Sequence, residues 1–182
     1  MPSDDETGIG KPSVVFLVLL GTALGFAESF LPRPIPFMKP GFANTAGVIA
    51  AVTLGTGGAF RVNLTRAVAV AIATGSIATP AFGISLAGAA AASLAMGPAG
   101  GLVPGALSAT GLSVAGSAAN MAAQLTLASV LFPGLPVASF VPPAAAWSLL
   151  SGVLVGIAST GLMRSGLLTG NGSGLVRKPS RG

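Results

Sequence analysis

GLSVAGSAANMAAQLTLASVLF, residues 111–132, contains no Asp, Glu, Lys or Arg and no proline. It is long enough to cross a hydrocarbon core of about 30 Å, which takes about 20 helical residues. Its surroundings repeat the pattern. Between Arg66 and Arg164 no position is charged, a run of 97 residues from 67 to 163. A chain in water cannot leave so long a stretch without hydrated side chains. Lipid makes the opposite demand, because a charge at mid-bilayer costs about 2.5–3.5 kcal/mol or more. Over all 182 residues, 52% are hydrophobic and 7% charged, where soluble domains spend about a quarter of their residues on charge. The sequence therefore predicts an all-α, polytopic membrane helix bundle.

Working outward from residues 111–132 gives six expected spans. The first is Val14 to Leu31, ended by Pro32, Pro34 and Pro36, which cannot propagate a helix. The second runs from Phe42 to Thr56, the third from Val62 to Ile77 and the fourth from Phe82 to Met96. Glycines and a proline make Ala99 to Thr110 a connection, with room for a short interfacial helix. The fifth is Gly111 to Phe132, and the sixth starts after Pro142-Pro143 and reaches Met163. Residues 1–12 are expected to be a cytoplasmic tail, 13–164 one six-helix domain, and 165–182 a disordered basic tail. Asp4, Asp5 and Glu6 make the leader acidic where a signal peptide is basic, so the first span is read as retained.

The formal charge is +5, but the basic residues flank apolar segments and form no patch for nucleic acid. With the N-terminus inside, the cytoplasmic side receives Lys11, Arg61, Arg66, Arg164, Arg177, Lys178 and Arg181. The outside receives Arg33 and Lys39. The positive-inside rule then predicts a multi-pass protein of the cell membrane with both termini cytoplasmic. Without cysteine or histidine, disulfides, Cys/His zinc sites, thiol nucleophiles and histidine bases are excluded. Neither a catalytic constellation, a metal site, a cofactor motif nor a phosphate loop is expected.

The few polar residues in the apolar segments mark candidate sites, since each must find a partner, a cavity or water. Glu28 is the only acid beyond the N-terminal tail. It either pairs with Arg33 or Lys39 to hold the loop, or stands at the mouth of a binding cavity. Arg66 either snorkels to the inner interface or acts inside the bundle. Ser113, Ser117, Asn120 and Gln124 are spaced by four, three and four, which places them on one helical stripe. That stripe either bonds across to other helices or lines a pocket. Gly21 with Gly25, and Ala23 with Ala27, have the small-xxx-small spacing of closely packed membrane helices. They serve internal packing or dock a partner subunit.

One stretch adds a resemblance. Glu28-Ser29-x-x-Pro32-x-Pro34-x-Pro36-x-x-Lys39-x-Gly41-x-Ala43-Asn44 resembles the signature region of the Gx transporter family, small membrane proteins also named heptaprenyl diphosphate synthase component I. The likeness continues through Arg66 and Ser85 to Ser93, and reaches Gly116 to Gln124. Where the family carries a histidine beside the asparagine, this chain has Ala119. The family is similar to the substrate-binding S components of energy-coupling-factor (ECF) transporters. This resemblance implies capture of a vitamin-like small molecule from outside, with a coupling membrane subunit and its ATPases as partners. The loop from Pro32 to Gly41 would lid the pocket, and Gly21/Gly25 or Ala23/Ala27 would meet the coupling subunit. The ligand-binding set is then Glu28, Lys39, Asn44, Arg66, Ser117, Asn120 and Gln124. The alternative is a non-catalytic accessory subunit in isoprenoid or quinone synthesis, because nothing here resembles the aspartate-rich motif of prenyl synthases.

Overall fold

The computed structural model describes residues 12–31 and 40–165. Lys39, the proline-rich segment before it and all but one residue of each expected tail lie outside these residues. The described chain forms five α-helices: α1 (Val14–Ser29), α2 (Asn44–Ala73), α3 (Pro80–Met96), α4 (Ala109–Leu131) and α5 (Val137–Arg164). A 3-10 turn, Gly100–Leu102, follows α3. The Ser13 and Ser108 hydroxyls accept the Phe16 and Gly111 amide protons, capping α1 and α4. Pro80 opens α3, where its missing N–H leaves nothing unpaired.

Six crossings were expected, and the structure has five helices. By length and hydropathy α4 and α5 suit a membrane crossing, and α2 does so only when its 30 residues are counted as one continuous helix. At 16 and 17 residues, α1 and α3 rise only about 24 and 26 Å. The expected second and third spans are joined in α2 without the Gly57–Arg61 break that the sequence suggested. Yet α2 is no straight rod. Gly55 has φ +70° and ψ −165°, a region open essentially to glycine alone. Arg66 donates a hydrogen bond to the Asn44 side chain, 22 positions earlier. On a continuous helix those residues would stand about 33 Å apart, beyond any side chain's reach. The chain must therefore turn back at Gly55, laying arm 56–73 antiparallel to arm 44–54. Gly47 makes the close approach possible, since a Cβ there would collide with Asn63.

Packing follows from this hairpin, which contacts α1, α3, α4 and α5. Leu17, Ala46, Ile49, Ala50 and Val62 form one buried cluster, and Val14, Leu162 and Met163 pack against it. The described chain thus begins and ends at the same end of the bundle. A second cluster joins Val48 and Ala59 of α2 to Met96, Leu112 and Val155. Small residues set these spacings. Gly116 seats Met96, and Gly152 and Gly156 bring α5 against the α4 backbone at Val114 and Thr110. Large apolar side chains such as Val15, Leu19, Leu94, Val130 and Ile157 point outward, as the lipid-facing surface of a membrane bundle requires.

Other boundaries also shift. α5 starts at Val137, with Pro142 and Pro143 inside it rather than before it. They sit in its second turn, past the first turn where a missing N–H costs nothing, so each removes one helical hydrogen bond. α1 ends two residues before Leu31, α3 begins at Pro80 and α4 at Ala109.

Candidate functional site

Away from the Leu17 cluster, the helices part around a cavity of about 610 Å³, within the range usual for small-molecule sites. One wall comes from α1 and α2, with Glu28, Asn44 and Arg66. Facing it, α4 contributes Ser117, Asn120 and Gln124, while α5 adds Trp147, Ser148 and Ser151. Phe26 and Phe30 meet edge to face, with centroids 5.0 Å apart, and both line the cavity. Residues 111 positions apart are tied together where the Ser151 hydroxyl donates to the Pro40 carbonyl. Next to it Gly41 adopts φ +83°, and a Cβ there would strike Ser151.

Arg66 is buried, with 8% of its surface exposed. Its position is set by the α2 hairpin. Nε donates to Asn63 Oδ1 at 3.0 Å, and Nη2 donates to Asn44 Oδ1. Asn63 Nδ2 donates in turn to Ser93 Oγ at 2.9 Å, which donates to the Ala89 carbonyl at 2.8 Å. A polar chain therefore runs from the cavity wall into the core between α2 and α3. Gly21 makes room for it, because a Cβ there would press on the Arg66 side chain. The inner-interface alternative for Arg66 is overturned; the guanidinium lies inside the bundle.

Glu28 is buried at the end of α1. Its carboxylate accepts the Ala43 N–H at 3.3 Å, one of the donors that the start of α2 leaves unpaired. Its negative charge also attracts Arg66 across the cavity wall.

On the opposite wall Gln124 Nε2 donates to Asn120 Oδ1 at 2.6 Å. Gly88 of α3 leaves the space they occupy, since any Cβ there would meet Asn120 and Gln124. Below them the buried hydroxyls of Ser113 and Ser117 have no hydrogen-bond partner among the described residues. Ser117 lines the cavity and Ser113 does not.

Six of the seven candidate ligand-binding residues thus lie around one cavity, and Lys39 falls outside the described residues. Gly21 and Gly25 face α2, where their Cβ positions meet Arg66, Ala46, Val70 and Ala43. That contact removes them from the expected partner-facing set, while Ala23 and Ala27 are exposed. Trp147, Ser148, Ser151 and Gly88 were not singled out from sequence. Ser148 and Ser151 have a helical three-residue spacing that gave a usable signal; Gly88 gave none. Among the described residues no three acidic, cysteine or histidine side chains come together to hold a metal ion.

Fold and site define a class: a membrane helix bundle with a cavity lined by polar side chains toward one end. Within that class the chain belongs to the heptaprenyl diphosphate synthase component I family, whose model matches residues 17–162. No curated protein and no solved structure matches the chain.

Proposed function

We propose that this chain is the small-molecule capture subunit of an uptake system in the cell membrane, in the manner of an ECF transporter S component. The cavity carries this reading. A bundle held only by packing has no reason to keep about 610 Å³ lined by a guanidinium, a carboxylate, three carboxamides and serines, because each polar group in lipid costs free energy until it is satisfied. Glu28, Asn44, Arg66, Ser117, Asn120 and Gln124 are the ligand-binding residues in this proposal, with Lys39 as a seventh.

The orientation belongs to the same proposal. Exposed Arg61 and Arg164 stand at the end where the described chain begins and ends, so that end is cytoplasmic by the positive-inside rule. The cavity then takes its ligand from the outer face. Ala23 and Ala27 remain as the exposed small pair for a coupling subunit that carries the ATPases.

Mass spectrometry of small molecules that co-purify with the protein tests this reading. The double variant Asn120→Ala/Gln124→Ala should lose the bound compound. Equal retention by both proteins would remove the site assignment.

The family's name supports a second reading, an accessory subunit of a prenyl diphosphate synthase. Reconstitution with a prenyl synthase should then raise product formation, and unchanged turnover would count against it.

A further inference from the structure

Within the capture reading, on which this inference rests, we propose that Arg66 receives a carboxylate or phosphate group of the ligand, so that the cavity takes an anionic small molecule by that end. The hydrogen bonds of the guanidinium carry this. Of an arginine's five N–H donors, Nε spends one on Asn63 Oδ1 and Nη2 one on Asn44 Oδ1. Three remain without a hydrogen-bond partner among the described residues, both donors of Nη1 among them. With 8% of its surface exposed the residue is more than nine-tenths buried, and it lines the cavity. Buried donors on a charged group are costly to leave unmade.

Both partners are neutral carboxamides, which orient the charge without cancelling it. Glu28 attracts Arg66, but its carboxylate sits at the start of α2 and accepts the Ala43 N–H. There the positive end of the helix favours a negative charge. Carboxylate and phosphate oxygens suit the donors that are left, since guanidinium N–H groups bind them in strong, charge-assisted bonds. Arg66 alone supplies the charge required; Lys39, placed at the ligand in the same reading, would add to it. Ser117, on the facing wall, is an independent sign of a missing partner. Only 6% of its surface is exposed, and its hydroxyl has no hydrogen-bond partner among the described residues. Trp147 offers a flat apolar surface to the body of the ligand.

Water reaches a cavity that is partly open, so the contrast has to be drawn between probes of one shape. Benzoate and phenyl phosphate carry the anion, and benzamide replaces it with a neutral amide. Trp147 is the only tryptophan and the chain has no tyrosine, so its emission reports on the cavity. The purified full chain in detergent would be titrated at fixed ionic strength, reading that emission and the thermal unfolding midpoint. Benzoate or phenyl phosphate should act at about tenfold lower concentration than benzamide, as charge-assisted bonds predict. Whichever of the two acts first tells carboxylate from phosphate. In Arg66→Gln the advantage of the anion should vanish; if that variant does not fold, the contrast in the unaltered protein decides. Benzamide acting as well as both anions would overturn the proposal, as would an anion advantage that persists in folded Arg66→Gln. Where no probe acts, the co-purified compound decides. One that carries a carboxylate or phosphate upholds the proposal, and one that carries neither overturns it while capture stands. If no probe acts and nothing co-purifies, both fail.

Discussion

Arg66 donates to the Asn44 side chain across 22 positions of sequence, and this contact joins the two arms of α2. The same guanidinium faces the cavity, so the group that closes the hairpin also forms a wall of the site. Truncating it to Arg66→Met should leave the Asn44 and Asn63 oxygens without their donor. Each unsatisfied group costs about 1–3 kcal/mol. Thermal unfolding in detergent should show a marked loss for Arg66→Met and a smaller one for Asn44→Ala. The double variant should lose less than the sum, by about 0.5–3 kcal/mol, as expected for residues in direct contact.

Gly55 makes that contact possible. Its φ of +70° and ψ of −165° strain any other residue, so Gly55→Ala should destabilise the protein by about 1–3 kcal/mol. Gly57 has no neighbour within 4 Å of its Cβ position and no positive φ, which makes Gly57→Ala the control. An equal loss from both substitutions would show that the turn at Gly55 is not the reason.

Gly41→Ala should be more damaging than Ser151→Ala. The first imposes both an unfavourable φ and a collision with the Ser151 hydroxyl. The second loses one hydrogen bond, to the Pro40 carbonyl, worth about 0.5–1.5 kcal/mol. Combining them should recover part of the Gly41→Ala loss, because the collision disappears while the φ penalty stays. Denaturation midpoints of the three variants check this ordering.

Ser113 and Ser117 are both buried, and their hydroxyls have no partner among the described residues, so Ser113→Ala and Ser117→Ala should leave stability unchanged or raise it by up to about 1 kcal/mol. They should differ in binding. Ser117 lines the cavity, and its loss should weaken retention of a co-purified compound; Ser113→Ala should not. Paired measurements of stability and retention separate the two effects.

Gly88→Ala should act on the site from outside it. The new methyl would displace Asn120 and Gln124 while removing no polar group. Loss of ligand retention with folding intact, read by gel filtration and thermal unfolding, is the expected outcome.

Much of this was legible because lipid is a simple solvent. The absence of charge from 67 to 163 sets the environment without reference to any contact. The four-three-four spacing of Ser113, Ser117, Asn120 and Gln124 needed only helical geometry, and the three cavity-lining members do share one wall. Helix ends were harder to read. Pro142-Pro143 looked like a boundary and lies inside α5, although each proline there removes one helical hydrogen bond. Gly57-Gly58 looked like the break, yet the chain turns at Gly55. Composition cannot say which of several nearby glycines takes a positive φ; the packing of the two arms selects it.

By itself the sequence determined that this is a bundle of apolar helices for a membrane, with few polar residues to account for. Hydration energies alone dictate that much, since they are summed residue by residue. Only the tertiary structure decided where those polar residues go. It folded α2 back at Gly55, chose the bundle interior over the interface for Arg66, turned Gly21 and Gly25 inward and left Ala23 and Ala27 outside. These outcomes depend on contacts between residues far apart in the chain, which spacing along one helix cannot encode.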